Sequence, residues 1–100
     1  MSETKAVAKL EFLSIWGEDH VRDVIGKVIS EPDRLRELAR LRFEDSARVE
    51  SALARLSARA NLAARQAYAF SLPRQIQEII ILECVIELNR SLKRAVSELN

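Results

Sequence analysis

The chain is predicted to fold as an all-α bundle of four to five helices, and three observations carry that prediction. First, its 100 residues contain only two Gly and two Pro, with 48% hydrophobic and 31% charged side chains. Such a composition suits helices and argues against disorder, a β-sandwich or a collagen-like repeat. Second, the longest apolar stretch, Ile79 to Ile86 with Glu83 inside it, continues as Val85, Leu88, Leu92, Val96 and Leu99 at steps of three and four. That spacing keeps one helix face apolar, which a strand cannot do. Third, the Ser and Pro at 30–32 and at 71–73 punctuate the pattern as helix boundaries.

The elements follow in order. Residues 4–16 hold good helix formers, with Val7, Leu10 and Leu13 on one side and Ala8, Phe12 and Ile15 on another. Gly17 supplies the stop and Asp19 an N-cap for a helix over 19–29, whose Val21, Val24, Ile25, Val28 and Ile29 form a clean stripe. Ser30 is expected to cap the next helix, with Pro32 in its first turn and Asp33 at its third position. From 31 to 70 neither Gly nor Pro intervenes, while Leu35, Ala39, Ser46, Val49, Leu53, Leu56, Ala60, Ala63, Ala67 and Phe70 recur at helical steps. A single helix of about 40 residues would be about 60 Å long, roughly twice the width of a small domain. A break is therefore expected near Glu44-Asp45-Ser46 or near Asn61, where short polar side chains can cap a restart. The alternative is one extended helix paired with another chain. The last helix spans 73–99 and is apolar on most of its circumference in its first half.

One hundred residues make a single domain with a small core, so a second copy is a natural way to complete it. No charged segment followed by an apolar one stands at the N-terminus, and no apolar run approaches the 18–20 residues that span a bilayer. A soluble, cytoplasmic protein is expected. One cysteine, Cys84, cannot form an internal disulfide and reads as a buried thiol in a reducing compartment.

Net charge is only +1, yet it is uneven. Residues 1–33 carry four basic against seven acidic side chains, residues 34–74 nine Arg against four acids, and residues 75–100 three against four. Arg48, Arg55 and Arg59 project within about 40° of each other on a helix. They read as solvated or paired within the chain, then as a protein interface, then as an anion- or nucleic-acid-binding row with Tyr68 and Phe70 nearby.

Catalytic chemistry finds little support. His20 is the sole histidine, so neither a metal site nor a Ser-His-acid triad can be assembled around it, and it reads as a surface residue at a helix start. Glu83 and Glu87 share a face with Arg90 and Arg94, which reads as an intrahelical charge ladder rather than a buried acid pair. Gly17 and Gly26 form no phosphate loop. Trp16 and Phe12 read as core. No catalytic residue, metal or cofactor is assigned.

The functional expectation is a non-enzymatic interaction module, a homodimer or a small subunit of a larger complex. It would bind itself or another protein through Ile76, Ile79, Leu82 and Ile86 and the Ala-rich seam of residues 53–67. A nucleic-acid-associated accessory protein using Arg48, Arg55 and Arg59 is the second reading. A small bundle enzyme with a site between protomers, its Arg holding an anion and a Glu moving a proton, is the third. No membrane is expected as a partner.

Overall fold

The computed structural model describes residues 11–99, and they form an all-α bundle with no strand. Its helices are α1 (described over 11–16), α2 (Glu18–Ser30), α3 (Pro32–Glu44), α4 (Ser46–Ala58), α5 (Leu62–Ser71) and α6 (Arg74–Leu99). Residues 4–10 of the expected first helix, with Val7, Ala8 and Leu10, lie outside the described residues.

The long middle segment breaks at both candidate points rather than one. A helix of about 60 Å would overrun the 42 Å longest dimension of the molecule. At Asp45 the backbone leaves helical geometry (φ −111°, ψ 33°). At residues 59–61 it becomes extended, and the Asn61 side chain caps α5 by accepting from the Ala64 N–H at 2.9 Å. The expected alanine seam is cut by this loop. Ala60 falls in it, and Ala63 and Ala67 face solvent, whereas Ala52 and Ala69 are the alanines taken into the core.

Two expected caps are also corrected. Ser30 ends α2 and donates to the Lys27 carbonyl, so that Glu31 is the residue preceding Pro32 and α3. Asp19 lies in the first turn of α2, where its charge favours the helix end, and Gly17 occupies the cap position. Gly17 holds φ 86° and ψ 156°, a conformation open to glycine and strained for other residues.

The core is built around the first half of α6. Ile76, Ile79, Ile80, Ile81 and Cys84 are all buried, against Ile15 and Trp16 of α1, Val24 and Val28 of α2, Leu38 of α3, and Val49, Ala52 and Leu56 of α4. α6 packs against α2, α3 and α4. Burial of each isoleucine is worth about 1.5–3 kcal/mol relative to exposure. The Trp16 Nε1–H donates to Gln77 Oε1 at 3.0 Å, and Gln77 Nε2 donates to the Leu72 carbonyl at 2.8 Å. One amide thus ties α1 to the entry of α6. Of the α2 stripe, Val24 and Val28 are buried but Ile29 is 73% exposed.

The two glycines give opposite expectations. Gly17→Ala should lose about 1–3 kcal/mol of stability because the strain is in the backbone, although no atom lies within 4 Å of the added Cβ. Gly26→Ala, inside α2 with equally open surroundings, should gain about 0.5–1 kcal/mol. Thermal melts of the two variants check both signs.

Candidate functional site

A charge inside the core is the first place to look for function, and Glu78 is the buried charged residue, 2% exposed. Its carboxylate is fully engaged. Arg34 of α3 donates through Nε to Oε2 at 3.1 Å and through Nη2 to Oε1 and Oε2, each at 2.6 Å. Two turns along α3, Arg42 donates through Nε to Glu83 of α6 and through Nη2 to Glu50 of α4 at 2.6 Å. Hydrogen bonding to Glu78, with its charge, holds the Arg34 guanidinium above its ordinary basic range; bonding to Glu83 does the same for Arg42. A raised folded value means that the guanidiniums' own titration contributes stability that is fully present below their unfolded value and is lost as the pH rises through the folded one, in strong alkali. Among the described residues no buried side-chain N or O lacks a hydrogen-bond partner. These groups clamp α3 onto α6 and α4.

The clamp corrects the expected ladder on α6. Glu83 turns to Arg42 on another helix, and only Glu87 pairs along α6, with Arg90 at 3.6 Å. Arg42 and Glu83 also line an open hollow with Ala39, Phe43 and Ser46. Guanidinium and carboxylate converge there, but each is held by the other. His20 is exposed and meets the Phe70 ring edge-on at 5.9 Å. No cluster of three or more His, Cys, Asp or Glu able to hold a metal ion occurs among the described residues, and no described helix is long and apolar enough to cross a membrane.

Two surfaces remain. The expected partner residues divide along α6: Ile76 and Ile79 are buried in the chain's own core and Leu82 is half-buried against it, while Ile86 is exposed. The apolar stripe then runs past the end of the bundle, from half-buried Val85 and Leu88 to Leu92 at 65% and Val96 at 58% exposure. Any surface that α6 offers to a partner therefore begins near Val85, later than the sequence suggests. Isoleucine spacing alone cannot tell which turns the rest of the chain covers.

The second surface gathers the arginine row. Arg48 and Arg55 of α4 line one hollow with Ser51, Tyr68, Leu72 and Ile76. Arg59 lies beyond the end of α4 in extended backbone, yet its guanidinium stands 4.8 Å over the Tyr68 ring. The projected row therefore stays together, although only its first two members are helical. Sequence reading missed Arg34 and Arg42. The signal was their place on the line of Leu38 and Leu41, the inward side of α3, opposite a glutamate inside an apolar run.

Removal of one clamp partner should cost more than removal of both. Arg34→Met leaves the Glu78 carboxylate buried alone, so its urea midpoint should fall well below that of the Arg34→Met/Glu78→Met double variant. Recovery of about half the loss or more in the double variant is the expected result.

Comparison with protein-family models, with curated proteins and with solved structures finds no match for this chain.

Proposed function

We propose that the protein is a helical interaction module whose partner is a second copy of the chain, bound through the projecting half of α6. The observation that carries this reading is the stripe of half-buried Val85 and Leu88 and exposed Leu92, Ala95 and Val96 on a helix that continues beyond its own bundle. Val85, Leu88, Leu92 and Ala95 follow at steps of three, four and three, so the pattern reads the same from either end. Two copies lying antiparallel across a twofold axis near Arg90 would place Leu88 of one against Leu92 of the other.

Charge supports the same orientation. Residues 83–88 carry two acids and residues 89–95 three basic side chains, so antiparallel helices set acid beside base and parallel helices set like beside like. Arg90 lies on the side of α6 away from the stripe and does not meet its copy. A contact of about three turns is shorter than a standard interface of about 1,600 Å² requires, which makes the association concentration-dependent.

Light scattering over a roughly hundredfold concentration range should show the mass rising from 11.4 kDa toward twice that value. Leu92→Glu/Val96→Glu should hold the chain monomeric with unchanged helical circular dichroism, since both side chains are exposed. Mixing Leu88→Cys with Leu92→Cys protein should give more cross-linked dimer than either alone. A single monomer mass throughout would refute the proposal.

A further inference from the structure

We propose that the hollow between α4 and the α5–α6 junction binds the phosphate groups of single-stranded nucleic acid. The inference is independent of self-association, because none of the residues lining the hollow belongs to the α6 stripe that starts at Val85. The hollow has a volume of about 230 Å³ and is lined by Arg48, Ser51, Arg55, Tyr68, Leu72 and Ile76, with no carboxylate among them. Arg59 covers one face of Tyr68 at 4.8 Å and so adds a third guanidinium to the rim.

This cluster is left positive by the fold. Arg55 and Arg59 form no ion pair among the described residues, and Arg48 has only Asp45, at 3.8 Å and well exposed. Elsewhere exposed arginines of α2 and α3 pair with acids one turn away, Arg22 with Glu18, Arg36 with Asp33 and Arg40 with Glu44, and Arg34 and Arg42 are held by Glu78 and Glu83. Guanidiniums gathered without counter-charge repel one another, and an anion threading between them relieves that repulsion.

The shape favours a linear polyanion over a single phosphate. Arg48 and Arg55 stand two helical turns apart, about 10 Å, and Arg59 adds a third guanidinium beside Tyr68. Successive phosphates along a strand can occupy such a row, with Ser51 as a neutral hydrogen-bond donor between the first two. The floor of Leu72 and Ile76 is apolar, and the Arg59–Tyr68 stack offers a flat surface at its edge. Unpaired bases stack on aromatic rings and guanidinium planes, whereas a duplex keeps its bases out of so small a hollow.

The test is fluorescence anisotropy of a labelled mixed-sequence single strand of about 15 nucleotides with the full chain. Engagement of three phosphates predicts that affinity falls roughly 20-fold between about 50 and 200 mM salt. Arg55→Glu and Arg59→Glu should each weaken binding about tenfold and flatten the salt dependence. Tyr68→Phe, which keeps the ring under Arg59, should bind as the parent does, while Tyr68→Ala should not. Arg36→Glu on α3, exposed and away from the hollow, serves as the charge control. Circular dichroism and Trp16 emission establish that each variant is folded. The proposal is overturned by absence of binding at low salt, by an Arg36→Glu loss equal to that of Arg55→Glu, or by an acidic peptide of equal length that competes as well as the unlabelled strand.

Discussion

The fold depends on one constraint, the burial of a helix that is apolar on every side over its first three turns. Ile76, Ile79, Ile80 and Ile81 point in different directions around α6, and all are buried. No single neighbour can cover such a surface, so α2, α3 and α4 each pack against it while α1 meets its entry through Trp16 and Gln77. The breaks at Asp45 and at 59–61 serve this requirement. They turn one long amphipathic stretch into short helices that can fold back around α6 instead of running past it.

Burial of α6 sets the second constraint, because Glu78 lies within the wrapped region. A carboxylate there is tolerable only with full hydrogen bonding, and Arg34 provides it from α3. Glu83 repeats the arrangement one and a half turns later with Arg42, which also reaches Glu50. Arg34 and Arg42 lie eight residues apart and therefore on one face of α3. The two guanidiniums fix how α3 lies against α6, a choice that apolar contacts alone leave loose. Glu78 and Glu83, engaged by Arg34 and Arg42, thus act as locators of α3 on α6.

Function, in this chain, is sought where the wrapping stops. α6 carries its stripe beyond the last helix able to cover it, and Leu92 and Val96 stand in solvent as a result. The charge pattern behaves in a parallel way. Acids of α2 and α3 pair within their own helices, Glu18 with Arg22 and Asp23 with Lys27, rather than crossing to the basic middle of the chain. Arg48, Arg55 and Arg59, along α4 and just past its end, therefore gather beside Tyr68 with little counter-charge. Uncovered apolar surface and uncompensated charge thus occupy different regions of one small molecule.

The sequence by itself determined the all-α class, the stop at Gly17, the start at Pro32, two candidate break points at 44–46 and near Asn61, and an early α6 that must be covered on more than one side. These follow from local geometry and periodicity, which neighbouring residues settle among themselves. Even the kinship of Arg48 and Arg55 was legible, as residues two turns apart share a face. Tertiary structure decided everything that depends on which turns are covered. Ile76 and Ile79 went to the core while Leu92 and Val96 did not, although one stripe pattern describes the whole helix. Glu78 and Glu83 found arginines more than forty residues away, and Arg59 left its helix yet stayed with the row by stacking on Tyr68. Periodicity assigns a side chain to a face; only the arrangement of other helices determines what that face meets.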